Sequence, residues 1–401
     1  MSERTINDRS SLDSNLSPTS NILEATSSTM RRATSLLLSF VLAHTMLTAQ
    51  DPVGAKAKVK EGVELHDQGE YKKAIKKYEE ALKLDKDNSL AMSEKALTLN
   101  AMGEFETSAA LCQEIITKHH GSKDLPMVFV TYGNSMDQLK RPEASLRVYD
   151  QAIKEFPGVA LLHFNRGITL LGMDSLASAQ RSFQRSGRLN PFHPGTQRQT
   201  ALLLRHQGNL VPAVLAISRT LMIDPVGQRS AADLALLREL VGGHVETNKK
   251  GNSTIYLDAS KMDDLNDTTF RENDFRKAET ALTLLGGLSL ASNMNDALKK
   301  EGVATSEAKE AGNFEMLLGF LANSLKDMRN ANSGFYWDNH GAWIIALNEA
   351  GHTRTLSHLL AAGSDDKLVA RWLEGNKDKV DAYYTWEKEY TARFLTDKVQ
   401  E

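Results

Sequence analysis

An all-α fold of stacked helix–turn–helix units is predicted by three observations. Small and bulky residues return every 34 positions through the first half of the chain. Within each period the apolar positions recur at helical spacing in two blocks separated by a turn. Beyond residue 276, amphipathic helical patterns take over, in which Tyr383, Trp386, Tyr390 and Phe394 make one stripe of a helix. The predicted architecture is an α-solenoid followed by a helical C-terminal unit.

The first period shows the grammar. In GVELHDQGEYKKAIKKYEEALKLDKDN, residues 62 to 88, Ala74, Tyr78 and Ala81 follow i, i+4, i+7 and mark the buried face of a second helix. Gly69 begins the turn before it, and Asp85 to Asn88 supply a polar stop. Lys72, Lys73, Lys76, Lys77, Glu79 and Glu80 fall on the opposite face and read as solvated surface. Gly103, Phe105 and Ser108 then lie 34 residues after Gly69, Tyr71 and Ala74. Gly208, Leu210, Ala213 and Pro225 likewise lie 34 after Asp174, Leu176, Ala179 and Pro191.

This pattern resembles the tetratricopeptide (TPR) repeat. Aligned on it, the chain holds five units: 55–88, 89–122, 126–159, 160–193 and 194–227. The small residue of the first helix is matched by Gly62, Ala96, Gly133, Gly167 and Ala201, and that of the second helix by Ala74, Ser108, Ser145, Ala179 and Ala213. The bulky residue four positions later is Tyr78, Cys112, Tyr149, Phe183 and Ile217. Small residues let two helices approach, and the bulky one fills the space left. A single unit cannot cover its own apolar face, so several must stack. The closing proline is present as Pro157, Pro191 and Pro225 but replaced by Lys86 and His120 earlier. Lys123 to Leu125 insert a slip in phase. Pro142 stands where the family has an aromatic residue, tolerable at a helix start. Leu125–Pro126 predicts an extended approach to the third unit.

The resemblance also implies a place for function. One side of each first helix in the family lines a concave groove that receives an extended or helical peptide. Here that side reads Val59 and Val63, Ser93 and Leu97, Val130 and Asn134, Phe164 and Ile168, then Arg198 and Leu202. Val130, Asn134, Phe164, Ile168 and Arg198 are the candidate peptide-binding residues. The lysine and asparagine pattern that holds chaperone C-termini is matched only at Asn134, so that subclass is rejected. An apolar side chain or amphipathic helix suits the fourth unit. The competing expectation is that the chain's own C-terminal helices fill the groove.

Past the repeats, Ala231 to Val241 predicts a helix, assigned with 228–241 as a cap for the open end. Residues 242–275 are polar and read as a linker, and 276–397 as a helical domain with patterns at Lys277–Lys300 and Ser306–Met328. Trp337, Trp343, Trp372 and Trp386 all lie there. The stripe that holds Trp386 and the apolar run of Trp343 with Ile344, Ile345 and Leu347 favour packing over a sugar-stacking site.

No phosphate-binding glycine loop, nucleophile elbow or dinucleotide fingerprint is present. NEAGH at 348–352 lacks the first histidine of a zincin pair, since Asn348 stands there. His340, His352 and His358 are the residues from which a metal-dependent or hydrolytic site in the C-terminal unit could be built. That enzyme is the alternative to a non-enzymatic binding protein; the expectation is no enzyme, no metal and no cofactor. Asn252 and Asn266 head glycosylation triplets.

Residues 30 to 52, MRRATSLLLSFVLAHTMLTAQDP, predict a signal peptide over 30–49. Arg31 and Arg32 form the positive end, and Leu36 to Leu47 the apolar centre. At about a dozen residues that run is too short to span a bilayer, so no stable span is expected after cleavage. The cut is placed between Ala49 and Gln50, with Ala43 as a second candidate. Residues 1 to 29 are Ser/Thr/Asn/Asp-rich and predicted disordered, with translation expected to start at Met30 rather than Met1. The chain is thus expected to be exported, periplasmic or secreted. A formal net charge of −3 supplies no overall field for nucleic acid. Cys112 is the lone cysteine, which excludes an internal disulfide or a thiolate zinc cluster. The function expected is a protein–protein interaction scaffold or adaptor of a bacterial envelope.

Overall fold

The computed structural model describes residues 50–242, 245–247, 253–255, 272–280, 282–283, 308–329 and 332–398, the side chains of the last segment as far as 393. The signal peptide with Ala49, the 1–29 extension, most of the 242–275 linker with Asn252 and Asn266, most of Lys277–Lys300 and the Phe394 side chain lie outside the described residues.

Ten helices follow one another where the period expects them. The first unit holds α1 (Pro52–Asp67) and α2 (Tyr71–Leu84), the second α3 (Ser89–Ala101) and α4 (Phe105–Lys118). The third holds α5 (Leu125–Gln138) and α6 (Pro142–Glu155), and the fourth α7 (Ala160–Gly172) and α8 (Leu176–Leu189). The fifth holds α9 (Pro194–His206) and α10 (Leu210–Ile223).

Each turn between paired helices contains one residue in the left-handed region at the same place in the period. These are Gly69, Gly103, Lys140, Asp174 and Gly208, with φ of 76, 84, 59, 56 and 75°. Glycine adopts that conformation freely, aspartate tolerates it, and lysine is held there at a cost. The equivalence of Asp174 and Gly208 read from spacing is therefore a conformational one. The small-against-large rule is also physical. A Cβ at Gly62, Gly133 or Gly167 would run into the ring of Tyr78, Tyr149 or Phe183 of the same unit.

The chain divides into two compact units, one ending at Thr98 and the other beginning at Leu99. In the first, Ala55, Val59, Ala74, Tyr78, Ala81 and Ala91 form the core, and His66 Nδ1 lies 2.8 Å from Thr98 Oγ1.

In the second, Phe129, Tyr149, Ala152 and Leu162 centre one cluster, and Leu170, Ala179, Phe183 and Leu203 the next. The extended approach expected before Pro126 is not formed. Leu125 is the first residue of α5 and is 1% exposed, so burying that side chain outweighs the local bias against helix before proline. Pro142 opens α6, as its missing N–H allows.

After α10 comes α11 (Ser230–Gly242), the helix assigned as a cap. It keeps the period: Ala235 and Gly242 stand 34 residues after Ala201 and Gly208. Arg198 to Asp233 (2.6 Å) and Arg205 to Glu239 (3.0 Å) tie α9 to it. Within the linker, β1 (Val245–Thr247) and β2 (Ser253–Ile255) pair antiparallel, Val245 opposite Ile255.

The C-terminal helices are α12 (Lys309–Met328), α13 (Ala342–Glu349), α14 (Thr353–Leu360), α15 (Lys367–Gly375) and α16 (Lys377–Lys398). A π-helical turn, Trp337–Gly341, precedes α13. The largest core cluster joins these helices to α10, whose residues Val211 to Met222 are all buried, and to α11. All four tryptophans are engaged in packing, Trp343 and Trp386 as their spacing predicts. Trp343 is fully buried, Trp337 stacks on Phe275 at 4.6 Å, Trp372 on His358 at 3.8 Å and Trp386 on Tyr390 at 5.3 Å.

Candidate functional site

The first helices α5, α7 and α9 each carry a stripe of candidate residues. On α5 it runs through Met127, Val130 and Asn134, spaced i, i+3, i+7 and so on one face. Met127 is 48% exposed while Val130 is buried. On α7 the stripe is Leu161, Phe164 and Ile168, all half-buried, and on α9 Arg198 and Leu202, also half-buried.

All five candidates also work inside the solenoid, and Val130, expected to line the groove, is buried in the core cluster of Phe129, Tyr149 and Leu162. Asn134 Oδ1 accepts a 2.7 Å hydrogen bond from Tyr149 Oη, linking α5 to α6 of the same unit. Phe164 meets His193 edge-on at 4.7 Å and Phe183 at 6.0 Å, so it packs within its unit and against the start of the next. Ile168 packs with the cluster around Leu170 and Phe183. Arg198 Nε donates to Asp233, whose side chain is 5% exposed. Sequence spacing placed these residues on one side of each helix but gave no sign of Tyr149 or Asp233 as partners. In hindsight Asp233 lies nearly one period beyond Arg198, the signal of neighbouring first helices.

Below the stripe, Thr169 Oγ1 donates to Asp137 Oδ2 at 2.6 Å, from α7 to α5. Burial pushes the Asp137 carboxyl up, against the opposing hydrogen bonds of Thr169 and Ser145. Burial lowers His193, which accepts from the Thr196 backbone N–H at the start of α9. These groups are structural joints of the repeat, with no exposed nucleophile among them.

The C-terminal helices engage a different side of the same repeats. Tyr336 Oη accepts from Gln180 Nε2 of α8 (3.1 Å), and the Arg188 guanidinium lies 5.2 Å from the Phe335 ring. His340, on the π-turn, sits 3.0 Å from Gln197 Oε1. From α10, Arg219 donates to Glu387 Oε1 (3.1 Å) and to the Asn339 carbonyl (3.3 Å), and Tyr384 Oη donates to the Met222 carbonyl (3.0 Å). Trp343 Nε1 donates to the other Glu387 oxygen at 2.7 Å, and Arg219 lies over its ring. Among the described residues, no hydrogen bond, ion pair or ring contact joins Val130, Asn134, Phe164, Ile168 or Arg198 to the C-terminal helices. Where these contacts fall, the docked face is that of the second helices and the α9 edge facing them.

The histidines of the alternative reading are dispersed among separate jobs. His340 is 2% exposed and pushed down to about 3 by burial and then by Arg219. His358 is stacked under Trp372, with Nδ1 2.8 Å from the Arg354 carbonyl. His352 lies against Tyr383 and Trp386. Among the described residues no three His, Cys, Asp or Glu side chains gather to hold a metal. Cys112 is buried, and burial raises its thiol to about 12. Asn348 of NEAGH accepts from Thr353 Oγ1 at 2.9 Å, closing the α13–α14 turn. A cavity of about 20 Å³, room for one water, lies where Thr196, Gln197, Arg219, His340 and Thr391 meet. A larger one of about 370 Å³ opens between α11 and α12, walled by the Arg238–Glu310 pair and Asp366 over Phe314 and Leu317. No described helix is long and apolar enough to cross a membrane.

Comparison with known proteins finds similarity over part of the chain. Residues 58–166 match the family model of the N-terminal TPR repeats region of Psidin. No curated protein matches the sequence. Among solved structures, PilF of Pseudomonas aeruginosa is similar at 22% identity, over 47% of this chain and 83% of its own, with a TM-score of 0.41. A thermophilic TPR protein of Thermus thermophilus shares 19% identity over 46% of this chain and 98% of its own, with a TM-score of 0.42. YrrB, described as a TPR protein with an unusual peptide-binding site, shares 15% over 47% and 92%, with a TM-score of 0.33. Each spans less than half of this chain. The chain carries TPR-type repeats in an all-α solenoid.

Proposed function

We propose that this protein is a non-enzymatic protein–protein interaction scaffold that receives a peptide or helix along the first-helix face of its repeats. TPR-type repeats in general mediate protein–protein interaction by presenting such extended surfaces. The observation that carries the reading here is the side chosen by the C-terminal helices. They dock on second-helix residues Gln180, Arg188, Arg219 and Met222 and on Gln197. The stripe through Met127, Asn134, Phe164 and Ile168 stays at least partly exposed, with apolar character suited to an amphipathic segment.

Export belongs to the same proposal. It rests on the charged, apolar and polar order of residues 30 to 52, and it puts the scaffold in a bacterial envelope with a mature start at Gln50. Sequencing the N-terminus of the protein from cells tests that part; a mature chain still carrying residues 30–49 overturns it.

The binding test compares partners purified with wild type and with a Met127→Lys, Ile168→Lys variant. Asn134→Ala and Phe164→Ala are poorer choices, because Tyr149 and His193 would lose their partners. A partner lost from an equally stable variant supports the reading, and identical partners with both overturn it.

A further inference from the structure

Helix α8 has a composition unlike the surface around it. Its sequence, LASAQRSFQRSGRL, holds three arginines and no acidic residue in a chain of formal net charge −3. Arg181, Arg185 and Arg188 follow i, i+4, i+7, so all three guanidinium groups share one face, and all three are exposed. Like charges at that spacing repel, and a helix on which nothing negative answers them is weakened by them.

Seven arginines elsewhere in the second unit are answered by a carboxylate. Arg166, Arg198, Arg205, Arg219, Arg238, Arg276 and Arg354 each have a carboxylate partner at 3.1 Å or less. Arg181, Arg185 and Arg188 have no such ion pair, nor do Arg141, Arg147, Arg229, Arg329 and Arg371, but among the described residues it is on α8 that three of them share one helix face. Arg181 donates to the Ser178 hydroxyl at 2.8 Å, and Arg188 rests over the Phe335 ring. The face continues by repeat symmetry. One period earlier, on α6, Arg147 and Lys154 stand at the places of Arg181 and Arg188, and both are exposed. The field reaches inward as well. Buried His163 is lowered by burial first, with Arg185 and Arg166 adding to the effect.

We propose that the outer face of α8, with Arg147 and Lys154 of α6 beside it, is a second binding surface that takes a short acidic segment of a partner protein. Planar guanidinium forks grip carboxylates through paired hydrogen bonds, which lysine cannot do. Arg181 and Arg188 are seven residues apart, about 10 Å along the axis, the length of three or four extended residues. On α6, Asp150 stands on the same face between Arg147 and Lys154 and pairs with Arg166 at 2.7 Å, and Glu143 and Glu155 are exposed on the same helix. A long polyanion such as nucleic acid or a membrane surface would meet these carboxylates and the chain's net negative charge. A short run of Asp and Glu can be met by the three α8 guanidinium groups alone. This surface does not depend on the first-helix reading; the two lie on different helices of each repeat.

The test is fluorescence anisotropy with the full chain, at an ionic strength of about 50 mM to limit screening. The probe is a labelled peptide with a run of six glutamates; its glutamine counterpart is the control. The Arg181→Gln, Arg185→Gln, Arg188→Gln variant is expected to bind the glutamate peptide at least about tenfold more weakly than wild type. Arg181→Gln, Arg185→Gln alone keeps the Phe335 contact and is expected to show most of that loss. Lys72→Gln, Lys76→Gln, Lys83→Gln removes the same charge from exposed positions of α2 and is expected to leave binding within about twofold. Equal binding of the two peptides by wild type, or equal weakening by the α2 variant, overturns the proposal. So does preferential binding of a single-stranded oligonucleotide or phosphatidylglycerol vesicles that the α8 variant abolishes, because the partner class is then wrong.

Discussion

Gly167 and Phe183 are interlocked: a Cβ added at Gly167 would lie 2.5 Å from Cε1 of the Phe183 ring, inside its van der Waals surface. The same relation joins Gly133 to Tyr149 and Gly62 to Tyr78. Where the first-helix residue is alanine, in the second and fifth units, the second-helix residue is Cys112 or Ile217 rather than an aromatic ring. Volume is therefore shared between two positions, and each unit divides it differently.

That sharing predicts coupling. Gly167→Ala gains helix propensity, about 1 kcal/mol, but overpacks the ring at a cost of about 1–3 kcal/mol. Net destabilisation of about 1 kcal/mol is expected in urea unfolding. In a Phe183→Ile background, which copies the fifth unit, the same substitution should become stabilising. Additive effects in the double-mutant cycle would contradict the packing account.

Lys140 is the one inter-helix turn residue whose side chain opposes its conformation, at φ 59°. Lys140→Gly should stabilise the protein by about 0.5–1 kcal/mol, by relieving a left-handed penalty that exceeds the entropy cost of glycine. Asp174→Gly should gain less, since a short polar side chain tolerates that region. Thermal unfolding of both variants measures the difference, and a destabilised Lys140→Gly would refute the assignment.

The buried pair Arg219–Glu387, with side chains 5% and 1% exposed, anchors α16 on α10. Glu387→Ala leaves Arg219 charged without a carboxylate and removes the Trp343 acceptor. A loss of about 3–5 kcal/mol is expected, with a shift in tryptophan emission. Replacing both charges by Arg219→Leu, Glu387→Met should cost clearly less. A double variant as damaged as the single one would mean the pair is not acting as a unit.

Acid should loosen the same junction. His340 is lowered to about 3 by burial, well below the about 6.5 of an unfolded chain. Its neutral form is therefore the folded one. The contribution is fully present above about pH 6.5 and is lost as pH falls toward 3, at up to about 1.4 kcal/mol per pH unit. Burial lowers His163, His193, His352 and His358 in the same direction. Urea unfolding between pH 7 and 5 should show a shallower decline for His340→Asn than for wild type; parallel declines would exclude His340 as a contributor.

The repeats were legible because their physics is periodic. A glycine facing an aromatic ring and one left-handed turn residue per unit both leave marks at 34-residue spacing, and even Asp174 was recognisable as the counterpart of Gly208. Lys140 was not, since nothing in a lysine announces a positive φ. Pro126 misled because local preference is weak against the burial of Leu125. The C-terminal helices were visible as aromatic stripes, but their docking side was not. It depends on Arg219 meeting Glu387 across 168 residues, and no period connects them. The candidate stripe could be named from the period alone, while Tyr149, His193 and Asp233, which hold Asn134, Phe164 and Arg198, are contacts of shape and charge that a single sequence does not display.

The most direct measurement is site-specific photo-crosslinking in cells, with a photoreactive residue at Met127 on the α5 stripe or at exposed Lys388 on α16. If the first-helix face is the binding surface, Met127 yields a discrete cross-linked partner that Lys388 does not, and Ile168→Lys suppresses it. Partner cross-links from Lys388 with none from Met127 would contradict the account and move the binding surface to the C-terminal helices.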